Sequence, residues 1–375
     1  MLVWIHGGSN RFGGPNDIVL SDMGKRIVLV GIRYRLGIFG FLSNRALTAE
    51  QGGSGNYGLM DQVAALQWVQ RNIAKFGGDP NHVTIAGESA GSQDVGLLLA
   101  APAARALFGQ AVMESGTPDF GMPPRTLVDA ERIGDQADAL LGDGGDIEKM
   151  RRMSVPALLS VDLKLHDDAL EDDSSMWLRP TIDGKLLTAS PRALLDSAPA
   201  KPLIIGSNRF ELDLPGGRTH RDAFVAKAFD RNEAAARTFY RLDQIDPVPD
   251  PRLGARDEQI ATDVTFRCPA EHIAEILSTK GAPVWRYEFD AAPGGGKTGH
   301  AVEIPYAFGD STFDHGLSLE PYWLNFIVAG SPNGTGLPQW PPFTPARHEH
   351  VLFSDSGVTS LGALRPKICS LLDRI

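Results

Sequence analysis

The sequence VTIAGESAG, residues 83–91, combines a predicted strand, a tight turn and the start of a predicted helix. Its first four residues are β-branched or small and apolar, which predicts a short buried strand. A turn with glycine at both ends and serine at its centre follows, and residues 92–102 (SQDVGLLLAAP) predict a helix. This is the G-x-S-x-G pattern in the strand–turn–helix context that it requires. The turn is too tight for bulky side chains beside the serine, so Ser89 is expected to stand clear of the backbone. There, at the N-terminus of a helix, developing negative charge is favoured.

Composition and charge narrow the class of protein. The chain has 375 residues, of which 42% are hydrophobic and 22% charged, enough for one large α/β domain or two smaller ones. The net charge is −10 with Lys and Arg scattered, so no basic patch indicates a nucleic acid or an anionic membrane as partner. No apolar run has the length of a membrane span. The expected partner is therefore a small molecule.

The start of the chain and its two cysteines leave alternatives open. The first residues, MLVWIHGG, already predict a strand, with no leader before it. We expect from this that the natural start lies upstream or that the gene is truncated. The compartment stays open: cytoplasmic if the start is genuine, exported if an upstream leader is missing. Cys268 and Cys369 could pair, but without geometry we favour buried free thiols.

Predicted strands alternate with predicted helices along the chain. The strands lie at residues 2–5, 27–34, 83–86, 110–116, 202–207 and 284–289. In the first two, apolar residues run continuously rather than alternating, which predicts central strands buried on both faces. The alternation predicts an α/β fold, with a mostly parallel sheet and helices on both faces. We predict a single domain over residues 1–375 with helical insertions at about 120–200 and 213–280. An acidic cluster at 167–173 predicts a solvated loop rather than a metal site.

A serine hydroxyl needs a base to take its proton and a third group to orient that base. In sheets of this type the order along the chain is serine, acid, histidine, with the last two on loops after later strands. Glu211 follows the strand at 202–207, and Asp213 is the second choice for the acid. His300 follows the last clear strand directly, so we favour it over His315 and the other seven histidines.

The turn after the first strand predicts a site for a negatively charged oxygen. It reads His6-Gly7-Gly8-Ser9 and matches the HGGG-type loop whose backbone N–H groups stabilise such an oxygen. The amide of Ala90, next to the serine, completes the set.

Several long segments together resemble the type B carboxylesterase family, relatives of the cholinesterases, which have the α/β-hydrolase fold. They include GNYGLMDQVAALQWVQRNIAKFGGDPNHVTIAGESAG (55–91), PLIIGSNRFE (202–211) and NFIVAGSPNGTGLPQWPPF (325–343). The resemblance implies hydrolysis of carboxylic esters without cofactor or metal. Carried over by position, the nucleophile falls on Ser89, the acid on Glu211 and the base on His300. The oxyanion amides fall on Gly8, Ser9 and Ala90.

The chain departs from the family pattern in three places. The family's N-terminal portion is absent, the residues around the acid (208–212) differ, and the connection from Glu211 to His300 is short. In the family fold the missing strands pair beside residues 27–34, so we predict an exposed sheet edge there and self-association through it. The alternative functions are a catalytically inactive truncated protein, a cholinesterase-like binding protein, and another α/β-hydrolase activity such as a lipase or amidase.

Overall fold

A computed structural model describes residues 1–18, 22–122, 125–167, 179–214, 217–292 and 295–372. Within the acidic cluster predicted at 167–173, residues 168–173 lie outside these described residues. Asp167 is described, and its carboxylate forms ion pairs with Arg125 at 2.6 Å and Arg179 at 2.8 Å. Across the described ranges, no helix has the length and apolar character needed to cross a membrane.

An eight-stranded sheet forms the centre of the structure, in the spatial order β10-β9-β8-β7-β4-β3-β1-β2. Its strands are β1 Leu2–Ile5, β2 Leu29–Gly31, β3 Thr84–Glu88, β4 Gln110–Glu114, β7 Leu203–Asn208, β8 Val284–Asp290, β9 His350–Ser354 and β10 Gly357–Leu361. Every neighbouring pair is parallel except β9 and β10. The mostly parallel sheet predicted from the sequence is therefore confirmed. A second sheet pairs β5 Arg125–Thr126 with β6 Thr181–Ile182.

Helices and short turns fill the connections between the strands. The α-helices are α1 Gly37–Phe41, α2 Arg45–Gln51, α3 Tyr57–Asn72, α4 Ala90–Ala100, α5 Leu127–Leu141, α6 Ile147–Arg151, α7 Val155–Asp162, α8 Pro191–Ser197, α9 Gly217–Phe229, α10 Glu233–Tyr240, α11 Arg256–Thr262, α12 Cys268–Thr279, α13 Ile304–Ala307, α14 Glu320–Ala329 and α15 Pro366–Cys369. A π-helical turn, Asp263–Arg267, joins α11 to α12. Helices α5–α8 and α9–α12 occupy the two predicted insertions; the assignment of the chain to one domain stays a prediction.

Side chains alternate between the two faces of the sheet and feed two separate apolar cores. In β1, Val3 and Ile5 belong to one core cluster, whereas Leu2 and Trp4 belong to the other. The same alternation recurs in β3, β4 and β7 because successive strand residues point to opposite faces. Strands β3, β4 and β7 are buried along their whole length. The loops after their carboxyl ends therefore begin from packed positions.

The second predicted strand is shorter and less buried than the sequence indicated. The prediction of a central strand over residues 27–34 is wrong, because β2 covers only Leu29–Gly31. The predicted sheet edge at this strand is confirmed, because β2 is the last strand of the sheet. Its side chains still alternate between the two cores, with Val30 packing against one and Leu29 against the other. Apolar side chains in a strand indicate that its faces are buried, but they do not show whether the strand pairs with neighbours on both edges. The self-association predicted for this edge stays a prediction.

The two cysteines form a disulfide, so the preference for free thiols is wrong. The Cα atoms of Cys268 and Cys369 lie 4.8 Å apart, and both residues are 1% exposed. They meet in a third core cluster, where the start of α12 packs beside α15. The two cysteines are 101 positions apart in the sequence, which gave no sign of this proximity.

We expect that replacing both Cys268 and Cys369 with serine will destabilise the protein. A cross-link that closes a loop of about 100 residues restricts the unfolded chain and contributes roughly 2–5 kcal/mol. The free energy of unfolding, measured with urea in the presence and absence of a reductant, should fall in the double variant and in the reduced native protein alike. The reductant should leave the double variant unchanged. A native protein that unfolds at the same urea concentration in both conditions would contradict the prediction.

Candidate active site

The predicted turn between β3 and α4 is a sharp elbow centred on Ser89. Ser89 has φ 53° and ψ −122°, in the region that side chains other than glycine rarely adopt. A Cβ atom on Gly91 would lie 2.0 Å from the carbonyl oxygen of Ile5, and one on Gly87 would lie 2.5 Å from the backbone of Gly91. Both positions therefore require glycine, and the amide of Ser89 is held by a 2.9 Å hydrogen bond to the carbonyl of Glu114.

The structure brings the three predicted side chains, Ser89, His300 and Glu211, into one hydrogen-bonded line. Nε2 of His300 lies 2.8 Å from Oγ of Ser89, and Nδ1 lies 2.6 Å from Oε2 of Glu211. An ionised carboxylate can only accept, so in the neutral imidazole the proton lies on Nδ1 and Nε2 is left to accept from the serine hydroxyl. Glu211 comes three residues after β7 and His300 ten after β8, so both lie beyond the carboxyl ends of adjacent strands.

The Glu211 carboxylate is buried and held from two sides. Its side chain is fully shielded from solvent, and its second oxygen accepts a 2.7 Å hydrogen bond from the amide of Asn208. The amide of Glu211 itself donates to Oγ1 of Thr262 at 3.3 Å. Its orientation toward His300 is therefore fixed by neighbours on both the loop and a helix.

The second-choice residues lie elsewhere. Asp213 is exposed, and its carboxylate accepts a 2.8 Å hydrogen bond from the neighbouring amide of Leu214. Nε2 of His315 lies 3.0 Å from the carbonyl oxygen of Ser354. Neither takes part in the line that runs from Ser89 to Glu211.

Two further buried carboxylates, which the sequence reasoning missed, surround His300. Oε1 of Glu88 lies 3.2 Å from Nε2 of His300. Glu303 accepts from Oγ of Ser115 at 2.9 Å and from Nδ2 of Asn208 at 2.6 Å. The signal available for both was position: Glu88 precedes the serine and Glu303 follows His300 by three residues.

Burial raises the pKa of these extra acids. Loss of solvent raises the pKa of Glu88 well above its usual value. Burial, together with the charge of Glu211, raises the pKa of Glu303 to about 7. Burial and the charge of Glu303 raise the pKa of Glu114, at the end of β4, to about 8. Each of these shifts favours the uncharged carboxyl, so burial opposes the build-up of negative charge around His300.

Two opposing effects act on the pKa of the His300 imidazole. Burial acts on its pKa most strongly and lowers it, because the charged ring loses water. The hydrogen bond and charge of Glu211, followed by the charges of Glu88 and Glu303, act in the opposite direction and raise the pKa to about 9. The imidazolium is thus the form that this environment favours.

The loop after β1 lies directly against the nucleophile elbow. A Cβ atom on Gly7 would lie 3.2 Å from Cβ of Ser89. Gly8 and Ser9 follow with φ values of 101° and 54°, a left-handed path that turns the backbone sharply. Within the described residues, the amides of Gly8, Ser9 and Ala90 donate to no backbone carbonyl. These three N–H groups, close to the serine in sequence or in space, therefore have no backbone partner in the described structure.

One group of side chains among the described residues has a composition that could hold a metal ion. Its members are Glu271 and Glu275 on α12 and His348 before β9, with ligand atoms within 4.8 Å of one another. Glu271 already forms an ion pair with Arg286 at 2.8 Å and lies 2.8 Å from Nδ1 of His348. These contacts account for the cluster without an ion, and it contributes no group to the Ser89 site.

Comparisons with known proteins identify the family of the chain. The sequence model of the Carboxylesterase family matches residues 1–367. The chain is 32% identical to para-nitrobenzyl esterase of Bacillus subtilis (strain 168) over an alignment of 391 residues. This alignment covers 96% of this chain and 76% of that protein. It is also 32% identical to liver carboxylesterase 1 of Oryctolagus cuniculus over 396 residues, covering 92% of this chain and 68% of that protein.

A similar solved structure is that of a PNB esterase, which superimposes with a TM-score of 0.83 at 29% sequence identity. The superposition covers 99% of this chain and 80% of the esterase. The predicted α/β-hydrolase fold and the resemblance to the type B carboxylesterases are both confirmed. The chain belongs to the carboxylesterase family and is a carboxylic ester hydrolase.

Proposed function

We propose that this protein cleaves carboxylic esters through an acyl-enzyme on Ser89, with His300 as general base and Glu211 as the acid that orients it. The observation that carries the proposal is the line of two hydrogen bonds, 2.8 Å from Ser89 to His300 and 2.6 Å from His300 to Glu211. Such a line gives a weak nucleophile the base that it needs.

The first half of the reaction forms the acyl-enzyme. Oγ of Ser89 attacks the ester carbonyl carbon while its proton passes to Nε2 of His300. The tetrahedral intermediate then collapses, the bond from carbon to the alcohol oxygen breaks, and His300 returns the proton to the departing alcohol. The acyl group is left bonded to Oγ.

The second half frees the enzyme. A water molecule takes the place of the alcohol and loses a proton to Nε2 of His300 as it attacks the acyl carbon. Collapse of the second intermediate breaks the bond to Oγ, and the proton returns to Ser89. Throughout, the buried Glu211 carboxylate keeps the proton on Nδ1 and stabilises the imidazolium.

The amides of Gly8, Ser9 and Ala90 are the proposed oxyanion hole. Negative charge develops on the ester carbonyl oxygen in both tetrahedral intermediates, and fixed N–H groups stabilise it most when no reorganisation is needed. Support comes from the contact of Gly7 with Ser89 and from the lack of backbone partners for these amides in the described structure. Ala90 also opens α4, whose positive end points at the same place.

Small aryl esters are the proposed assay substrates, because a similar protein is named para-nitrobenzyl esterase. The test is the hydrolysis of p-nitrophenyl acetate with rapid mixing. An acyl-enzyme path predicts a burst of p-nitrophenol equal to the enzyme concentration, followed by slower steady turnover, whenever deacylation limits the rate. Trapping at low pH should then show the acetyl group on the peptide that contains Ser89. Absence of hydrolysis and of acetylation would favour the inactive binding protein instead.

The pH dependence should reflect the raised pKa of His300. The base acts only when neutral, so the rise of kcat/KM with pH should have its midpoint near pH 9 instead of near the ordinary value of 6.5. The measurement is kcat/KM from pH 5 to 10 with an ester that does not ionise, corrected for alkaline hydrolysis without enzyme. A midpoint at or below 6.5 would contradict the electrostatic picture of the site.

A further inference from the structure

The helical segment made of α11, the π-helical turn Asp263–Arg267 and α12 lies next to the active site, and its helix type changes there from α to π. Between α11 and α12, the amide of Cys268 donates to the carbonyl of Asp263, five residues earlier, which is a π-helical turn. Pro269 follows at once, and its missing N–H removes the bond that would close an ordinary α-turn there. Single π-turns inside α-helices occur frequently at functional sites.

Two side chains of this segment touch the base and the loop of the acid. The ring of Phe266 lies with its centroid 5.3 Å from that of the His300 imidazole. Phe120 packs against the ring of Phe266 at 5.7 Å and 77°. Four residues before Phe266, Oγ1 of Thr262 accepts the hydrogen bond from the amide of Glu211. Thr262 is fully buried and Phe266 is 2% exposed, so both contacts lie in the protein interior.

We propose that this segment, Thr262 together with the π-helical turn, is a positioning element for the reaction. Phe266 fixes the plane of the His300 imidazole, and Thr262 fixes the loop that carries Glu211. The proposal rests on the proposed function, because it assigns to both residues an effect on the acid–base pair and no contact with substrate.

The π-helical turn is itself held by buried charges. Arg267 forms an ion pair with Asp263, donates to the carbonyl of Arg209 at 2.8 Å and to Glu288 at 3.1 Å. Asp263 also forms an ion pair with Arg365 at 2.8 Å. The turn is therefore tied to the loop after β7, to β8 and to the segment before α15. A support fixed on three sides can hold Phe266 in one orientation.

The Phe266 ring also shields the imidazole from water. The titratable groups that face His300 are Glu88, Glu211 and Glu303, which favour the imidazolium when they are ionised, whereas burial opposes it. Removal of the ring would admit water to one face and weaken the effect of burial. The pKa of His300 would then rise further, and the base would be neutral only at higher pH.

The experiment compares Phe266→Leu and Phe266→Ala with the native enzyme on p-nitrophenyl acetate. We expect kcat to fall roughly 10- to 100-fold, as for other small misplacements of catalytic groups, with KM within about twofold of native. In Phe266→Ala the midpoint of the acidic limb of kcat/KM should also move to higher pH. Phe229→Leu is the matched control, since Phe229 is 1% exposed in the third core cluster, where its ring contacts Tyr240. It should lower stability without changing kcat or the pH profile.

Thr262 provides a second, independent readout. Thr262→Val keeps the shape of the side chain but removes the acceptor for the Glu211 amide, so kcat should fall, while Thr262→Ser should restore most of it. Native kcat and an unshifted pH profile in the folded Phe266 variants, or equal activity of the valine and serine variants, would overturn the proposal. Failure of the native enzyme to react with a serine-directed fluorophosphonate would instead overturn the proposed function, and this proposal with it.

Discussion

Replacing Ser89 with alanine is expected to lower kcat for p-nitrophenyl acetate by about 10⁶-fold, the loss typical of removing a serine nucleophile. Without Oγ, nothing within the line can form the acyl-enzyme, and His300 loses its hydrogen-bond partner at Nε2. The measurement is the steady-state rate at saturating ester, with circular dichroism and the thermal midpoint to show that the variant is folded.

The matched control is Ser92→Ala on the same helix. Ser92 is buried and donates to the carbonyl of Gly116 at 2.8 Å, so its loss should cost about 1 kcal/mol of stability while activity stays near native. A residual rate in Ser89→Ala, supported by binding and the oxyanion amides, agrees with the mechanism. A variant that keeps more than a few per cent of native turnover would contradict the role of Ser89.

Glu211→Gln should lower kcat by about 10⁴-fold, the effect of replacing a triad carboxylate by its amide. The amide is neutral and can present its NH₂ group to Nδ1, which favours the tautomer that carries the proton on Nε2. The base would then be unable to accept from Ser89, although the amide of Asn208 could still donate to the remaining oxygen. The readout is kcat/KM over the pH range, compared with native enzyme.

Asp213→Asn is the control for the acid, because Asp213 was the second choice from the sequence and is exposed in the structure. Its activity should remain within about twofold of native, as expected for a surface substitution. A severe loss in Asp213→Asn with a mild one in Glu211→Gln would reverse the assignment of the acid.

The central part of the fold could be predicted because its sequence signals are local. The apolar runs of β3, β4, β7 and β8 each lie between turn residues, and the alternation with helices implied a parallel sheet. The extent of β2 and the pairing of Cys268 with Cys369 could not be predicted, because both depend on which elements become neighbours. Periodicity records the faces of a strand and carries no information about its edges.

In the candidate site too, residues with local sequence signals could be predicted, whereas those that depend on long-range packing could not. Ser89, Glu211 and His300 were found because chain order and strand ends restrict where such groups can lie. Thr262 and Phe266 were missed, since they lie on a helical segment far from any motif and reach the site only through packing. Contacts that support a site form only when distant segments pack together, so they cannot be predicted from local motifs. The reacting groups lie on single loops whose local sequence identifies them.

The intact mass of the protein after treatment with a fluorophosphonate shows whether Ser89 is the nucleophile. We expect a single covalent adduct on the native protein, located on the peptide that contains Ser89, and none on Ser89→Ala. An unmodified native protein, or an adduct of the same mass on Ser89→Ala, would contradict this assignment.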